Sequence, residues 1–296
     1  MIPIKDEYLT NKLSLVFLGI IAISSSNAWA AIVSDDTIII PYNTSYIIDV
    51  LANDQDDSLD AVLANQAAPN QLCLGDATGF FSCEDINNES WHSLAVSLGD
   101  VNQDNALDVV FANGDNQKNR ICLGRGDGRF EHPCAVISAD SLWSHDVALG
   151  DVNHDAQLDA LFANFKQGEV QKHQLCLGHG QGSFICEPFE IDEFPGMGIA
   201  LGTLDNDSEL DVIFATYGRA NSICLGDGEG HFTPCVAVNH DTAHSLDVAL
   251  GDINADHYLD AVFANGDNQR NQVCFGNGST NWPDCEPISA DLVSSE

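Results

Sequence analysis

Short apolar runs, separated by polar turns, recur along this chain at a spacing of about 50 residues. One pair of runs, Ser93–Leu98 and Leu107–Ala112, flanks an acidic loop. Runs of this length, rich in apolar and β-branched residues and bounded by turn residues, are typical of β-strands. Because no segment has a sustained helical period, the pattern predicts an all-β fold. The other predicted pairs are Tyr46–Leu51 with Leu59–Ala64, Asp146–Leu149 with Leu158–Ala163, Gly198–Leu201 with Leu210–Ala215, and Leu246–Leu250 with Leu259–Ala264.

The repeat consists of five similar units. Position 1 of the acidic loop falls at residues 52, 100, 151, 203 and 252, which are 48, 51, 52 and 49 residues apart. In each unit we predict a first strand, the acidic loop, a second strand and a hairpin of two further strands. A period of this length built from short strands indicates a propeller or a similar array, and we predict a β-propeller of about five four-stranded blades. We place the units near residues 46–90, 91–140, 141–192, 193–242 and 243–291, in one domain covering 31–296.

The acidic loop carries oxygen side chains at its positions 1, 3, 5 and 9. In the second unit these residues are Asp100, Asn102, Asp104 and Asp108. Oxygens at alternate positions of a tight loop can converge on one hard cation, and calcium takes six to eight oxygen ligands in flexible geometry. We therefore predict a calcium site in this loop.

The loop recurs in the other four units, so we expect up to five calcium ions. Two further copies are complete, whereas Thr203 and Ala52 stand at position 1 of the fourth and first units. We expect the complete loops to bind calcium most tightly and the first loop to bind it most weakly. In the fourth loop, we expect Glu209 at position 7 to replace part of the missing position-1 carboxylate. The predicted ligands are Asp151, Asn153, Asp155 and Asp159; Asp252, Asn254, Asp256 and Asp260; Asp205, Asp207 and Asp211; and Asp54, Asp56 and Asp60.

Ten cysteines fall two to a unit, 10 to 12 residues apart, on either side of a glycine-rich turn. Cysteines that face each other across a β-hairpin are close enough to bond. Zinc binding is the alternative, but the chain has no CxxC pair and no Cys–His cluster. Local disulfides of this kind would place the protein in the periplasm or outside the cell. We predict Cys73–Cys83, Cys122–Cys134, Cys176–Cys186, Cys224–Cys235 and Cys274–Cys285.

Residues 1–30 have the pattern of a secretory signal peptide. Leu13–Ile23 is an apolar run of 11 residues, too short to span a bilayer, and Ala28–Ala30 fits a small-x-small cleavage site. A retained N-terminal anchor is the alternative; after cleavage we expect no membrane insertion. The 45 acidic and 10 basic residues give a net charge of −35, which argues against nucleic acids and anionic membranes as partners.

The repeats resemble FG-GAP or VCBS repeats, which form the blades of integrin α-subunit propellers and of many secreted bacterial proteins. The likeness rests on the lead Ala148–Asp151, the DxNxDxxxD loop and the CLGxGxGxF hairpin, and it covers about residues 46–288. It implies calcium in the loop between the first two strands of each blade. The chain differs from integrin subunits in having five units rather than seven, in lacking literal FG and GAP signatures and in adding a cysteine pair to every unit.

The segment before each first strand is expected to face the central channel of a propeller. There the sequence places Trp91, His92, Trp143, His145 and His244. Such residues can bind a sugar or a peptide, or they can serve only as packing between blades.

These features predict a secreted, calcium-binding β-propeller that serves as a binding or adhesion module for an extracellular protein or glycan. No catalytic set is recognisable, because the Ser, His and Asp residues recur at equivalent places and no GxSxG or HExxH motif occurs. A polysaccharide-active lyase or hydrolase and a structural subunit of an extracellular assembly are the alternatives. No feature of the sequence points to a particular oligomeric state.

Overall fold

A computed structural model of the chain describes residues 44–49, 60–76, 80–168, 171–189, 194–238, 242–282 and 285–288, with only the backbone for 44–49. The predicted signal peptide and the first-loop ligands Asp54 and Asp56 lie outside these residues. In the described part of the chain, every long regular element is a β-strand, and no helix has the length and apolar character needed to cross a membrane. The predicted all-β class is confirmed.

The strands form five units of four, and each unit is an antiparallel sheet. The first two units contain β1 (Thr44–Asp49), β2 (Asp60–Ala68), β3 (Gln71–Gly75), β4 (Phe81–Asp85), β5 (Trp91–Gly99), β6 (Asp108–Asn113), β7 (Arg120–Cys122) and β8 (Ala135–Val136). The third and fourth contain β9 (Ser144–Gly150), β10 (Asp159–Asn164), β11 (Gln174–Gly178), β12 (Phe184–Pro188), β13 (Gly196–Gly202), β14 (Asp211–Thr216), β15 (Ser222–Gly226) and β16 (Phe232–Ala237). The fifth contains β17 (Ser245–Gly251), β18 (Asp260–Asn265), β19 (Gln272–Cys274) and β20 (Glu286–Pro287).

The first strands of successive units lie side by side, so that β1, β5, β9, β13 and β17 are neighbours in that order. The first two units also share a sheet, because β2 continues to Ala68 and pairs with the start of β5. In that extension Gln66 lies opposite His92 and Ala68 lies opposite Trp91. The apolar pattern had predicted that this strand ends at Ala64, so that boundary was wrong.

The hydrophobic cores lie between successive units. In the first core, Val62 and Leu72 of the first unit pack with Val109 of the second. Three similar cores follow along the chain. β6, β10 and β14 belong to the three middle units and have a core on both sides. They are therefore buried at every residue, which explains their nearly continuous apolar sequences. Each core contains one fully buried phenylalanine: Phe111, Phe162, Phe214 or Phe263.

The second strands begin at the ninth residue of the acidic loop, one residue later than the apolar pattern predicted. In the second unit Asp108 starts β6 and lies opposite Gly99 at the end of β5. The predicted start, Leu107, lies one residue before the strand, at position 8 of the loop. A charged residue at the end of a buried strand is unusual, and its hydrogen bonds, described below, provide the reason.

All five predicted disulfides are present, each between the third and fourth strands of its own unit. The paired Cα atoms lie between 3.8 and 4.4 Å apart. In three units the two cysteines face each other directly in the strand register, as Cys73 and Cys83 do. Because no cysteine is free, the zinc alternative is wrong.

Buried polar side chains link neighbouring units at the end of the sheets remote from the acidic loops. The amide of Asn70 donates to Ser93 Oγ over 2.8 Å, and Ser93 Oγ donates to Asn113 Oδ1 over 2.7 Å. Between the second and third units, Asn119 and Ser144 take the same places, with 2.9 Å between Nδ2 and Oγ. Buried polar groups with satisfied hydrogen bonds fix one relative position of the packed elements.

The junction between the third and fourth units is built differently, and we call it the His173 junction. His173 takes the place of the asparagine and Gly196 the place of the serine. A Cβ atom on Gly196 would lie 2.5 Å from His173 Cε1, so the imidazole and a serine side chain exclude each other. The imidazole stacks on Phe214 with ring centroids 4.4 Å apart. Burial lowers the pKa of His173 to about 3, so the ring is neutral.

Candidate functional site

The three complete acidic loops share one backbone conformation. Positions 4 and 6 have positive φ in all three, and in the second unit these are Gln103 at 62° and Asn105 at 67°. The two carboxylate oxygens of Asp100 accept the N–H groups of Asp104 and Asn105 over 3.1 and 2.9 Å. The same bonds form in the third and fifth units. The position-1 carboxylate therefore lies inside the turn of its loop.

Positions 3 and 5 also turn into the loop. Asn102 Oδ1 accepts the N–H of Asp104 over 2.9 Å, and Asp104 Oδ1 accepts the N–H of Ala106 over 2.8 Å. The amide of Asn102 donates to Asp104 Oδ2, and the third and fifth units repeat this contact. The oxygen side chains at positions 1, 3 and 5 thus all turn into the loop.

The ninth-position carboxylate occupies a different environment, because it is fully buried beneath the loop. Asp108 Oδ2 accepts the N–H of Val101 over 2.9 Å, and its Oδ1 accepts the N–H of Gly124 over 2.7 Å. Gly124 belongs to the cysteine hairpin, and a side chain there would collide with the carbonyl oxygen of Leu107. Asp108 therefore joins the loop, the second strand and the hairpin. Its counterparts Asp159, Asp211 and Asp260 make the same two bonds, and Asp60 accepts the N–H of Gly75.

Burial makes this carboxylate a weaker acid than usual. Burial raises the pKa of Asp108 to about 6, with further upward contributions from Asp104 and Asp100, although the two N–H donors oppose the change. The pKa values of Asp159 and Asp211 are also raised to about 6, chiefly by burial. A bound cation would favour the ionised form of each group.

The fourth loop has a conformation of its own. Its positions 4 and 6 lack the positive φ of the complete loops, but the carboxylate oxygens of Asp205, Asp207 and Asp211 lie within 4.8 Å of one another. Burial, followed by the charge of Asp205, raises the pKa of Asp207. Among the described residues, a second cluster of possible metal ligands lies at the tip of the fourth hairpin. It was not predicted, and it consists of the exposed Asp227, Glu229 and His231. The predicted order of calcium affinity stays a prediction.

The chemistry of the loops fits calcium. Their side-chain donors are carboxylate and amide oxygens, which calcium prefers, and each carboxylate oxygen has lone pairs beyond those that accept N–H groups. The residues at positions 1, 3, 5 and 9 would hold the ion. A bound calcium ion would supply positive charge that offsets the negative charge of the three aspartates in each complete loop. In the first loop only Asp60 belongs to the described residues.

A continuous row of aromatic side chains crosses the end of the sheets opposite the acidic loops. Successive ring centroids are 6.2, 6.3, 6.1, 5.9 and 4.2 Å apart, and all six side chains are partly exposed. The row runs from the second unit to the fifth. We call this set the aromatic row; it consists of His92, Trp143, His145, Phe165, Tyr217 and His244.

Strand pairing explains how the aromatic row is assembled. First and second strands are antiparallel, so the start of one lies beside the end of the other. Phe165, which follows β10, donates its N–H to the carbonyl of Trp143, which precedes β9, over 3.0 Å. Only the segments before the first strands were predicted to face a ligand, so Phe165 and Tyr217 were not predicted. Both stand one residue beyond a second strand, and that position was the available signal.

The turns after the second strands hold the row in place. The side-chain oxygen of Gln117 accepts the N–H of His92 over 2.9 Å. The side-chain oxygens of Gln171 and Gln269 accept the N–H groups of Trp143 and His244. The same glutamine, at the same place in three units, thus fixes the backbone at three members of the row.

Polar groups lie among the rings of the row. Trp143 Nε1 and His92 Nε2 are buried without a hydrogen-bond partner in the described part of the chain. Asp267 contacts His244 Nδ1 and accepts the hydroxyl of Tyr217 over 3.1 Å. Apolar ring faces with a few fixed polar groups are the usual lining of small-ligand sites.

Trp91 lies in the core and not in the aromatic row. It is 7% exposed, and its ring lies 6.1 Å from Phe111. Its Nε1 donates to Glu89 over 2.8 Å, and the guanidinium of Arg120 lies 5.2 Å from the ring centroid. Of the five residues predicted to face a ligand, the structure groups the other four in the row.

Comparison with known families identifies the repeat. A family model described as "FG-GAP-like repeat" matches residues 100–162 and 204–263. The chain contains FG-GAP-like repeats. Each matched stretch begins in an acidic loop and ends in the second strand of the next unit, so the FG-GAP-like repeats coincide with the loops and the cores between units. The resemblance recognised in the sequence is confirmed.

Two relatives of similar sequence bear the same name. Cartilage acidic protein 1 of Homo sapiens is 30% identical over 123 residues, which are 40% of this chain and 18% of that protein. Cartilage acidic protein 1 of Xenopus tropicalis is 24% identical over 208 residues, which are 63% of this chain and 31% of that protein. The chain therefore matches less than a third of the length of either relative.

A solved structure with a similar fold is an Agrocybe aegerita lectin described as recognising non-reducing terminal N-acetylglucosamine. It has a TM-score of 0.57 and 17% identity, over 84% of this chain and 67% of the lectin. The likeness shows a shared arrangement of sheets.

Proposed function

We propose that the protein is an exported, calcium-binding β-propeller that binds a glycan on its aromatic row. The observation that carries this proposal is the row itself, in which six partly exposed rings from four units follow one another with no more than 6.3 Å between successive centroids. Aromatic rings offer flat apolar faces, and the nearby polar groups supply directional hydrogen bonds. A sugar ring, with an apolar C–H face and hydroxyl groups at its edge, matches that combination.

The arrangement of the units supports the propeller. First strands lie side by side in chain order, the cores lie between successive units, and each FG-GAP-like match runs from the acidic loop of one unit into the second strand of the next. In a closed ring the first strands would surround a central axis, and the aromatic row would lie around one of its two openings. The lectin of similar fold recognises a sugar, which supports the use of this architecture for glycan binding.

The disulfides and the relatives support export. All ten cysteines are bonded, and structural disulfides persist in oxidising compartments. The name cartilage acidic protein fits a place outside the cell for that relative. We propose a periplasmic or extracellular location for this chain, with removal of residues 1–30.

Glycan binding is tested with an array of oligosaccharides followed by calorimetry on the best ligand. We expect Trp143→Ala and Tyr217→Ala each to weaken binding about tenfold, as expected for loss of a central aromatic contact. Phe80→Ala is the matched control, because Phe80 is an aromatic residue that is 74% exposed and lies in the first hairpin, outside the row. Binding of a protein and no glycan, or equal binding by all three variants, would overturn the proposal.

A polysaccharide-active enzyme is the second candidate, and one observation favours it. Tyr217, His244 and Asp267 are in mutual contact on the row, and a histidine oriented by a carboxylate is a common general base. Incubation of the protein with bound polysaccharide, followed by chromatography of the products, separates the two functions. An enzyme shortens the chains and loses that activity in His244→Ala, whereas a binding module leaves the chains intact.

A further inference from the structure

A surface cavity beside the second unit is lined by positive charge. Its volume is about 320 Å³, and its walls include Trp91, Asn116, Gln117, Lys118 and Arg120. We call it the Arg120 cavity. Two basic side chains in one cavity are unusual in a chain with 45 acidic and 10 basic residues.

The two basic residues of the cavity have no acidic partner. Within the part of the chain that the structure describes, no carboxylate lies within 4.0 Å of Lys118 or Arg120. By contrast, Arg125 lies 4.0 Å from Asp127, and Arg129 lies 3.7 Å from a glutamate of the first unit. In a molecule with so many carboxylates, two unpaired cations in one cavity attract an anion from outside the chain.

Arg120 is held in place and is peculiar to the second unit. Its guanidinium carbon lies 5.2 Å from the centroid of the Trp91 ring. The indole N–H of Trp91 donates a hydrogen bond to Glu89. Stacking on an aromatic face orients the planar guanidinium and leaves its N–H edge for a carboxylate or sulfate. The same place in the other four units holds an uncharged residue: Gln71, Gln174, Ser222 and Gln272.

The Arg120 cavity adjoins the aromatic row. Gln117, in its wall, accepts the N–H of His92 over 2.9 Å. Asn116, also in its wall, accepts a hydrogen bond from Lys166 over 3.4 Å, and Lys166 follows Phe165 of the row. An oligosaccharide that lies along the first rings of the row can therefore place a neighbouring sugar at the cavity.

We infer that the Arg120 cavity binds the acidic group of an anionic glycan, a carboxylate or a sulfate on a sugar ring, whose neighbouring sugars contact the aromatic row. This inference rests on the proposed function and names its ligand class. A guanidinium pairs with a carboxylate or a sulfate through two parallel hydrogen bonds, and Lys118 adds a second positive charge. Apart from this cavity, the strongly negative protein repels such a ligand.

The inference is tested by calorimetry with three tetrasaccharides of similar length: tetragalacturonate, a sulfated galactan fragment and neutral galactotetraose. Ionic strength and calcium concentration are the same in all titrations. We expect the acidic ligands to bind more tightly than the neutral one. Arg120→Gln should weaken binding of the preferred acidic ligand about tenfold and leave neutral binding unchanged, because it removes only the charged contact.

Matched charge variants control for the change in net charge. Lys118→Ala should weaken acidic-ligand binding about threefold, whereas Lys172→Ala and Arg270→Gln, at the equivalent place in the third and fifth units, should change it less than about twofold. Preference for tetragalacturonate identifies a carboxylate ligand, and preference for the sulfated fragment identifies a sulfate ligand.

Two results overturn the inference, and they differ in what they say about the proposed function. In the first, neutral and acidic ligands bind with equal affinity, Arg120→Gln has no effect, and Trp143→Ala weakens binding. The inferred anionic ligand is then wrong, but glycan binding by the aromatic row stands. In the second, none of the tetrasaccharides binds and no oligosaccharide on the array binds. Both the inferred ligand class and the proposed glycan binding are then wrong.

Discussion

The ninth-position aspartates show how one residue can serve both the fold and the predicted metal site. Asp108 accepts N–H groups from Val101 and Gly124, so it holds the loop against the hairpin whether or not a cation is bound. The loop motif alone describes Asp108 as a ligand. Its burial and its two donors assign it a structural role as well.

Asp108→Ala should therefore destabilise the protein in excess chelator as well as in calcium. We expect a loss of about 1–3 kcal/mol for each buried N–H left without an acceptor. Chemical denaturation, with and without chelator, measures the loss. Asp104→Ala is the control, because its exposed carboxylate should matter mainly in calcium. If Asp108→Ala matches wild type in chelator, the structural role is refuted.

The buried histidine of the His173 junction makes stability depend on pH. The fold lowers the pKa of His173 to about 3, so as pH falls below about 6.5 the unfolded chain takes up the proton first. Stability is therefore lost on acidification, by at most about 1.4 kcal/mol per pH unit for one proton.

The double variant His173→Asn/Gly196→Ser restores the residue types of the other junctions and removes this group. We expect the free energy of unfolding of wild type, relative to the double variant, to decrease between pH 7 and pH 4. The raised pKa values of Asp108, Asp159 and Asp211 act in the opposite sense, but these residues are common to both proteins and cancel in the difference. Parallel curves would show that His173 is not the titrating group.

At the scale of elements, the sequence predicted the strands, the loops and the disulfide pairs, because each depends on a local pattern. It placed the starts of the second strands one residue too early, because the apolar Leu107 was counted in the run whereas strand pairing begins at Asp108. It missed Phe165 and Tyr217, which reach the aromatic row only through strand pairing. It also missed the pairing of β2 with β5, which joins two units.

Each hairpin disulfide should stabilise the protein to a similar extent, because the closed loops are nearly equal. The sequence separations are 10, 12, 10, 11 and 11 residues. The chain-entropy model gives about 2.5–3 kcal/mol for loops of this length. Denaturation of Cys176→Ala/Cys186→Ala and Cys224→Ala/Cys235→Ala should show losses of that size. A loss in one unit several times that in the other would contradict the local, entropic origin.

At the scale of the whole molecule, the acidic loops couple stability to calcium. An ion that binds only the folded loop adds about 2.7 kcal/mol per site at 100 times its dissociation constant. Excess chelator should therefore lower the melting temperature by many degrees. Magnesium should restore it poorly, because it requires stricter octahedral geometry. Equal melting temperatures in chelator and in millimolar calcium would show that the loops are not metal sites.

The cores between units provide a test of ring closure. In an open array the first and last units have one neighbour each and should exchange amide hydrogens faster than the third. In the proposed closed ring, amides at Phe111, Phe162, Phe214 and Phe263 should be protected to similar degrees. Hydrogen exchange read by mass spectrometry distinguishes the two, and protection that decays toward the ends would rule out the ring.

The His173 junction has a consequence for how such a protein can be recombined. His173 and Gly196 belong to different units, and the imidazole leaves no room for a side chain at position 196, whereas an asparagine and a serine form the pair at two other junctions. A chimera cut at the borders of a unit would separate these partners and place an imidazole against a serine. The smallest portable module is therefore the second half of one unit together with the first half of the next.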